Sequence, residues 1–432
     1  MITTWRRAAP TFVLLVTLLG GCLDDIDDPD IIEPSDLNTL QGAEALYAGA
    51  IGEFALAISG TAGNPGMVGT GGLFADEFQH SATPPGERAL DLRMLTEDNT
   101  TWVAIYLNLH RAITAAERAA DALKGVVPSP TSEPRIGELY ALSAIAQVML
   151  AEHYCSGMPF SQAEPVLTYG EPLSTAEVFT RALGRVDSAL VYASGSPEVA
   201  DLARVVRGRA LVGLDDLSAA AAAVSAVPTG FAYATEHSSA TDRQSNGVYV
   251  VNRELGRITV GSGEGGNGLD FVGAADPRVP TQQLGMGFDG VTPLYALLTL
   301  DSRAASVVVA SGVEARLIAA EAQLAAGSAA WLSTLNDLRQ TVAGLGPLAD
   351  PGTPPARVDL LFRERAFWLF ATGHRLGDLR RLIREHGRSA AAIFPTGGYH
   401  KDNLTYGTDV SIVIPQTERN NPKYTGCDNR AP

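Results

Sequence analysis

Two amphipathic segments separated by a glycine lie between Val358 and Arg388, and they constrain the fold more than any other stretch. The apolar residues of the first segment recur at the spacing of one helical face: Val358, Leu361, Phe362, Ala366, Leu369 and Phe370. Gly373 follows, and a helix ends most readily at a residue that tolerates a left-handed backbone. The second segment has a stripe of its own, made of Leu376, Leu379, Leu382 and Ile383. The pattern predicts a helical hairpin, in which Arg375 and Asp378 are spaced to pair on one helical face.

Several further segments carry the same helical spacing of apolar residues. It predicts helices over 35–58, 98–124, 134–154, 172–190, 200–212, 218–227, 312–326 and 331–342. Ser174 and Glu177 have the spacing of a capping box, and Ser35 or Asp36 is suited to begin the first helix. Alanines occupy the positions where neighbouring helices would touch. The pattern resembles degenerate tetratricopeptide packing, although the sequence has no strict repeat of about 34 residues.

Two stretches have a different composition. Residues 228–310 are rich in Gly, Ser and Thr and contain short β-branched runs, which predicts turns and short strands inserted into a helical scaffold. Residues 61–90 are rich in Gly and Pro, so we expect a loop there that carries Phe74, Phe78 and His80. Loops on a rigid scaffold are common places for ligand contacts.

The charged residues of the C-terminal helical hairpin form the motif ERxxxxxxxGHRxxDLRR. Its members are Glu364, Arg365, Gly373, His374, Arg375, Asp378, Leu379, Arg380 and Arg381. The motif resembles the C-terminal signature of the SusD/RagB family, whose members are surface lipoproteins that capture nutrients for a TonB-dependent outer-membrane transporter. The chain departs from that signature at two positions, because Trp368 and Thr372 stand where family members usually carry Glu.

Other segments support the same resemblance. The family pattern LxxAEAxxxxG…LNxxR is matched at Leu317, Ala320, Glu321, Ala322, Gly327, Leu335, Asn336 and Arg339. The tail pattern IPxxExxNP is matched at Ile414, Pro415, Glu418, Asn421 and Pro422. The step Asp276-Pro277-Arg278 is another SusD-like mark, which we interpret as structural.

The resemblance implies the fold class and the division of the chain. We expect a mainly α protein, a SusD-like α/α superhelix of tetratricopeptide-like hairpins with an inserted loop-rich subdomain that contains short strands. The expected parts are a lipoprotein signal peptide (1–21), an acidic tether (22–34), an N-terminal helical part (35–227), the loop-rich insert (228–310) and the C-terminal helical hairpins with the tail (311–432).

The N-terminal residues match a lipoprotein signal peptide. Arg6 and Arg7 precede an apolar run that is too short to span a bilayer, and the lipobox Leu19-Gly20-Gly21-Cys22 follows. We therefore expect a diacylglycerol on Cys22, and the alternative is an ordinary secretory signal with a chance cysteine. The acidic run LDDIDDPDIIEP comes next and predicts a solvated tether. It resembles a surface-export signal, and a spacer that only keeps the chain soluble explains its charge equally well.

Charge and cysteine content limit the partners. Without residues 1–21 the chain has 30 basic and 48 acidic residues, a formal charge of −18. This charge argues against nucleic acid and against electrostatic attraction to anionic lipid, so membrane attachment should come from the N-terminal lipid only. Two cysteines remain, Cys155 and Cys427. In an oxidising compartment they suggest a disulfide that pins the tail to the helical part, and two free buried thiols are the alternative.

No motif in the sequence requires catalysis or a cofactor. HExxH and GxSxG are absent, and no two of the seven histidines have metal-ligand spacing on a helix. Gly261, Gly263 and Gly266 match GxGxxG, but no βαβ pattern surrounds them. Paired carboxylates for glycoside hydrolysis are a spatial arrangement, so a surface hydrolase remains a third hypothesis. We predict a binding protein that is not an enzyme, with no cofactor and no metal site.

The resemblance implies a lipid-anchored, nutrient-binding protein of the outer membrane that faces the cell exterior and works with a SusC-like TonB-dependent transporter. The expected nutrient is a glycan or oligosaccharide. Because aromatic residues make up only 7% of the chain, few rings are available for stacking, and a non-glycan nutrient such as a peptide is the alternative. The candidate ligand contacts are Phe74, Phe78, His80, Trp102 and Tyr295, because aromatic rings stack on the apolar faces of sugars. Trp102 lies in an apolar stripe, where core packing is the alternative. The alternative function is a tetratricopeptide-like scaffold lipoprotein that binds a protein partner.

Overall fold

The computed structural model describes residues 38–162 and 166–427. The expected signal peptide over 1–21, the lipidation site Cys22 and the acidic tether over 22–34 lie outside the described residues. The same holds for Ser35 and Asp36, the residues expected to begin the first helix. The expectations for the signal peptide, the lipidation site and the tether therefore stay predictions.

Helices dominate the described residues, which confirms the mainly α fold class. The helices are α1 Leu40–Ser59, α2 Gly66–Phe74, α3 Pro85–Asp91, α4 Thr100–Val126, α5 Pro134–His153, α6 Thr175–Tyr192, α7 Pro197–Gly213, α8 Leu217–Val224, α9 Gly247–Tyr249, α10 Gly312–Ala325, α11 Ala330–Gln340, α12 Pro354–Trp368, α13 Arg375–Arg384 and α14 Ala390–Ile393. Each predicted helix has a counterpart, with ends shifted by a few residues. Within the described ranges, no helix is both long and apolar enough to cross a membrane.

The first helix begins later than the sequence predicts. α1 starts at Leu40, and the Thr39 side-chain oxygen caps it by accepting the Gly42 N–H at 3.1 Å. The capping box of α6 is confirmed. Ser174 Oγ accepts the Glu177 N–H at 3.3 Å, and the Glu177 carboxylate accepts the Ser174 N–H at 2.8 Å.

Neighbouring helices pack in pairs that continue along the chain. The packed pairs are α1 with α4, α4 with α5, α5 with α6, α6 with α7, α7 with α8, α8 with α10, and α10 with α11 and α12. Small residues allow the close approach: a Cβ on Gly137 of α5 would lie 2.8 Å from the Ala189 carbonyl oxygen of α6. A run of paired helices of this kind is tetratricopeptide-like, as the alanine-rich stripes predict.

Within the described residues, eight short strands form four two-stranded antiparallel sheets. The pairs are β1 Phe78–His80 with β5 Ile258–Val260, β2 Met158–Pro159 with β3 Pro172–Leu173, β4 Ala232–Thr235 with β8 Val307–Ser311, and β6 Thr281–Met286 with β7 Pro293–Leu297. Strands β4 to β7 lie in 228–310, where the composition predicts short strands. Because β8 runs directly into α10, the β4–β8 pair is joined to the helical scaffold.

Residues 61–90 do not form the expected loop, which corrects that prediction. They contain α2, β1 and α3, and every residue of α2 is buried. The glycines of α2 serve close packing, because a Cβ on Gly71 would lie 2.6 Å from His153 Nε2 of α5. A Cβ on Gly72 would lie 2.8 Å from the ring of Phe78. At Gly71 and Gly72, glycine is needed for close approach between elements and not for backbone freedom.

A disulfide joins the end of α5 to the C-terminal tail. Cys155 and Cys427 are bonded, with their Cα atoms 5.8 Å apart and a sequence separation of 272. Backbone hydrogen bonds fix the tail at the same place, since the Cys155 N–H donates to the Ile412 carbonyl at 2.9 Å and the Ile412 N–H donates to the His153 carbonyl at 2.8 Å. The tail is therefore held on the helical part by covalent and hydrogen bonds together.

Candidate functional site

The charged residues of the C-terminal signature are buried, and they hold α12 and α13 together. Arg365 of α12 donates to both carboxylate oxygens of Asp378 in α13, at 2.8 and 2.9 Å, and Arg381 donates to the same carboxylate at 2.9 Å. Arg381 also pairs with the buried Glu321 of α10. Burial alone would raise the pKa of Asp378, but the Arg365 and Arg381 guanidinium groups hold that pKa well below its usual range.

The pairing of Arg375 differs from the one its spacing suggests. The sequence predicts an Arg375–Asp378 pair, but Arg375 donates to both oxygens of Asp76, at 2.6 and 2.7 Å. Arg365 and Arg381 occupy Asp378 instead. This result corrects the prediction, and the reason is that a buried, two-pronged contact between guanidinium and carboxylate is stronger than an ion pair along one helical face.

Two further buried contacts tie distant segments to the same helical hairpin. Arg278 of the DPR step donates to Asp276 at 2.7 Å and to Glu364 of α12 at 2.6 Å, which confirms a structural role for this step. Glu77 accepts the Ala371 N–H at 3.1 Å, and burial raises the pKa of the Glu77 carboxyl to about 8. All these contacts are made within the protein, so the signature stabilises the fold and is not an open ligand site.

The residues expected to contact a ligand do not come together in a site. They are Phe74, Phe78, His80, Trp102 and Tyr295. The first four are fully buried, so the structure contradicts ligand contacts for them. Phe74 packs edge-on against Phe394, and Phe78 packs against Phe370, because the segment 61–90 is part of the core and not a loop. Tyr295 of β7 is half-buried, and its contact with a ligand stays a prediction.

Phe288 is the only exposed aromatic residue within 38–162 and 166–427. It is 66% exposed and stands in the sequence GFDG, at the tip of the hairpin formed by β6 and β7. Sequence reasoning missed this residue. The dipeptide Asp289-Gly290 between two short apolar runs is a hairpin signal and could have placed Phe288 beside a turn. The direction of its ring depends on the surrounding fold, which local sequence does not encode.

Hydrogen bonds hold the tip of the β6–β7 hairpin in place. The Phe288 N–H donates to the Gly256 carbonyl at 2.8 Å, and the Asp289 N–H donates to the Ser81 carbonyl at 3.0 Å. The Asp289 carboxylate in turn accepts the Thr292 N–H at 2.9 Å. The Phe288 backbone is therefore fixed before any ligand binds, which reduces the entropy lost on binding.

A loop near the C-terminus, which contains Lys401 and Asp402, contacts the same tip and helps to hold it in place. Lys401 Nζ donates to the Asp289 carboxylate at 2.7 Å and to the His80 carbonyl at 2.9 Å. Burial would raise the pKa of Asp289, but hydrogen bonds from Lys401 and from the tip hold that pKa well below its usual range. The next residue, Asp402, pairs with Arg88 at 2.7 Å, and this pair is partly exposed to solvent. The accessible Arg88–Asp402 pair is thus linked to the tip through the neighbouring residue Lys401.

We define the hairpin surface by the exposed residues at this place. It consists of Phe288, the neighbouring apolar residues Leu255, Met286 and Val291, and the ion pair of Arg88 and Asp402. An exposed apolar ring together with an accessible ion pair matches the chemistry of a sugar, because the sugar ring has an apolar face and its hydroxyls need hydrogen-bond partners.

One group of metal-type ligands occurs in the described part of the chain, namely Glu321, Glu385 and His386. Glu321 already accepts hydrogen bonds from Arg381 through both carboxylate oxygens. The guanidinium group supplies the positive charge that a cation would bring, so the geometry favours the ion pair over a metal.

No protein-family model and no curated protein matches the sequence. Solved structures do match it. A SusD superfamily protein from Bacteroides thetaiotaomicron aligns with a TM-score of 0.68 at 15% identity, covering 90% of this chain and 100% of that chain. Surface glycan-binding protein A from Bacteroides uniformis aligns with a TM-score of 0.67 at 14% identity, covering 90% and 99%. A SusD-like carbohydrate-binding protein from Bacteroides vulgatus aligns with a TM-score of 0.63 at 15% identity, covering 89% and 97%.

This chain therefore has the SusD-like fold. The alignments span nearly the whole of each matched structure, so the similarity concerns the complete architecture and not one helical hairpin. It agrees with the superhelix that the signature motifs imply. At such low identity the comparisons establish the fold alone, and the ligand has to be argued from the surface of this chain.

Proposed function

We propose that this protein is a SusD/RagB-type binding protein that captures a glycan at the hairpin surface. The observation that carries the proposal is the exposure of Phe288, a single aromatic ring on a tip that hydrogen bonds hold in place. Two of the similar structures are a carbohydrate-binding protein and a surface glycan-binding protein, which supports a glycan over a peptide.

In this proposal each part of the hairpin surface has one task. Phe288 stacks on the apolar face of a sugar ring, and the Arg88–Asp402 pair exchanges hydrogen bonds with the sugar hydroxyls. Asp289 and Lys401 are positioning residues, because they fix the tip and are themselves buried. A single stacking ring predicts a modest affinity, which suits a protein that must release its ligand.

The proposal extends to the membrane and to a partner. Cys22 carries a lipid that anchors the protein at the outer membrane, facing the cell exterior. The captured glycan passes unaltered to a SusC-like TonB-dependent transporter, so the protein performs no catalysis. The lipobox and the resemblance of the signature motifs support this part of the proposal.

Glycan binding is tested by probing an oligosaccharide array with the full chain. We expect saturable binding to at least one oligosaccharide, and free oligosaccharide of the same kind should compete for it. An array without any bound glycan, together with saturable binding to a peptide library, would show that the nutrient is a peptide.

The partner is tested by a pull-down from detergent-solubilised outer membranes with the lipidated protein as bait. We expect a β-barrel transporter to co-purify, and a Cys22→Ala bait should recover less of it because it is not anchored beside the transporter. Capture of a different protein, combined with an empty glycan array, would favour the scaffold lipoprotein.

A further inference from the structure

A cleft lies at the base of the β6–β7 hairpin, at the opposite end from Phe288. β7 ends at Leu297, and Thr299 and Leu300 line the cleft. Its volume of about 480 Å³ is within the range of small-molecule binding pockets. The length of β7, about 17 Å for five residues, separates the cleft from the hairpin tip. It is therefore a different place from the hairpin surface.

Aromatic rings and hydroxyl groups share the lining of this cleft. Phe231, Trp368 and Phe370 are each half-buried in it. Thr299 and Ser306 are exposed, and their hydroxyls make no hydrogen bond to any residue that the structure describes. The lining thus offers ring faces for apolar contact and free hydroxyls for hydrogen bonds.

The cleft carries no uncompensated charge. Arg278 is the only charged residue in its lining, and it is paired with Asp276 and Glu364. The Arg278 guanidinium lies 5.1 Å from the centre of the Trp368 ring system and helps to fix that side chain. An uncharged ligand suits such a lining, because an ionic ligand would lose its hydration without gaining a counter-ion.

Trp368 and Thr372 lie close together in the lining of the cleft. The indole N–H of Trp368 is buried and has no hydrogen-bond partner within the described residues.

From these observations we infer that the cleft binds one uncharged monosaccharide unit. The rings of Phe231, Trp368 and Phe370 contact the apolar faces of the sugar, and the exposed hydroxyls of Thr299 and Ser306 bond its oxygens. The choice of a sugar rests on the proposed glycan function. The cleft itself is lined by residues that are not part of the hairpin surface.

The test uses the full chain labelled with 5-fluorotryptophan and observed by fluorine NMR. The sequence has four tryptophans, and Trp368→Phe identifies the resonance of Trp368. The probes are the methyl glycosides of glucose, galactose, mannose and N-acetylglucosamine. We expect one of them to shift the Trp368 resonance saturably while the resonances of the buried Trp102 and Trp331 stay in place.

Two variants make the outcome specific. Thr372→Glu puts a carboxylate into the cleft and should abolish the shift. The double variant Thr299→Val with Ser306→Ala removes two exposed hydroxyls and should weaken binding at least about tenfold. Val191→Ala, on an exposed face of α6, is the control and should bind as the parent does.

The inference is overturned if no glycoside shifts the Trp368 resonance, or if the double variant and the parent bind equally. If no glycoside shifts the Trp368 resonance but the array binds a glycan, this inference is wrong and the proposed function still holds. A shifted Trp368 with an empty array would place sugar binding in the cleft and remove it from the hairpin surface.

Discussion

The two hairpins of this protein reverse the usual distribution of side chains. The α12–α13 hairpin buries charged residues, namely Glu364, Arg365, Arg375, Asp378, Arg380 and Arg381. The β6–β7 hairpin exposes apolar ones, namely Leu284, Met286, Phe288 and Val291. Charged residues are normally on the surface, and buried ones require paired partners. The charges of the first hairpin have carboxylate or guanidinium partners within it or in neighbouring segments, except Arg380, which donates to the Ala151 and Glu152 carbonyls. The apolar residues of the second hairpin are exposed to solvent.

The comparison suggests separate roles: the α12–α13 hairpin stabilises the fold, and the β6–β7 hairpin carries the proposed function. The buried charges form a set of mutually dependent contacts, in which the loss of one partner leaves another charge unpaired. Such a set needs particular residues at particular spacings, so it produces a recognisable motif. The exposed ring of Phe288 belongs to no such set of buried contacts, and in the proposed function it binds the ligand. Variants of the buried charges should therefore change stability, and variants of the exposed ring should change binding.

The largest expected effect follows from removing Asp378. Asp378→Ala leaves Arg365 and Arg381 buried without that carboxylate, and we expect the free energy of unfolding to fall by about 3–5 kcal/mol. Denaturant unfolding measures this change. Glycan affinity of the protein that remains folded should equal that of the parent, because Asp378 is not part of the hairpin surface.

The matched control for Asp378 is the exposed pair of Asp350 and Arg357. It has a similar two-pronged geometry, at 2.7 Å for both contacts, but water screens it. Asp350→Ala should leave the free energy of unfolding nearly unchanged, because solvent screens an exposed ion pair. Equal losses for the two variants would show that burial does not distinguish the signature contacts.

A second, smaller effect is expected from the disulfide. Replacing both Cys155 and Cys427 by Ser should lower the free energy of unfolding by about 2–4 kcal/mol, since the bond closes a very long loop of the unfolded chain. Unfolding of the parent under reducing conditions should match the double variant. If reduction leaves the parent unchanged, the hydrogen bonds of Ile412 hold the tail by themselves.

A third effect concerns pH and the buried Glu77. Burial raises the pKa of this carboxyl from 4.5 to about 8, so its contribution to stability is complete below pH 4.5 and is lost as the pH rises through 8. Over this interval the free energy of unfolding should fall by at most about 1.4 kcal/mol per pH unit on account of Glu77. Glu77→Gln keeps an acceptor for the Ala371 N–H and should show a flatter profile. Parallel profiles for the two proteins would contradict a raised pKa.

Much of the fold could be predicted from the sequence, because helical periodicity and caps are local signals. The stripe around Trp102 and the capping box at Ser174 illustrate this, since both depend on residues a few positions apart. The pairing of Arg375 with Asp76 could not be predicted, because these residues are far apart in the chain and meet only in the folded state. The same reason explains α2, whose glycines resemble a loop until the side chain of His153 is placed against them.

The ligand contacts were the least predictable feature. Aromatic residues in a Gly-rich segment, such as Phe74 and Phe78, have the composition of a binding loop and yet lie in the core. Phe288 has an unremarkable local sequence, and its hairpin is held by hydrogen bonds to Ser81 and Gly256, which are distant in sequence. Exposure is a property of the whole fold, so a sequence pattern identifies the scaffold more readily than the surface it presents.

The most direct test of the account is isothermal titration calorimetry with the oligosaccharide that the array identifies. The parent, Phe288→Ala and the control Val191→Ala are compared, and the free energy of unfolding is measured for each. We predict that Phe288→Ala weakens binding at least about tenfold, or about 1.4 kcal/mol, and changes unfolding by less than about 0.5 kcal/mol. Val191→Ala should change neither quantity. Unchanged affinity in Phe288→Ala would contradict glycan capture at the hairpin surface.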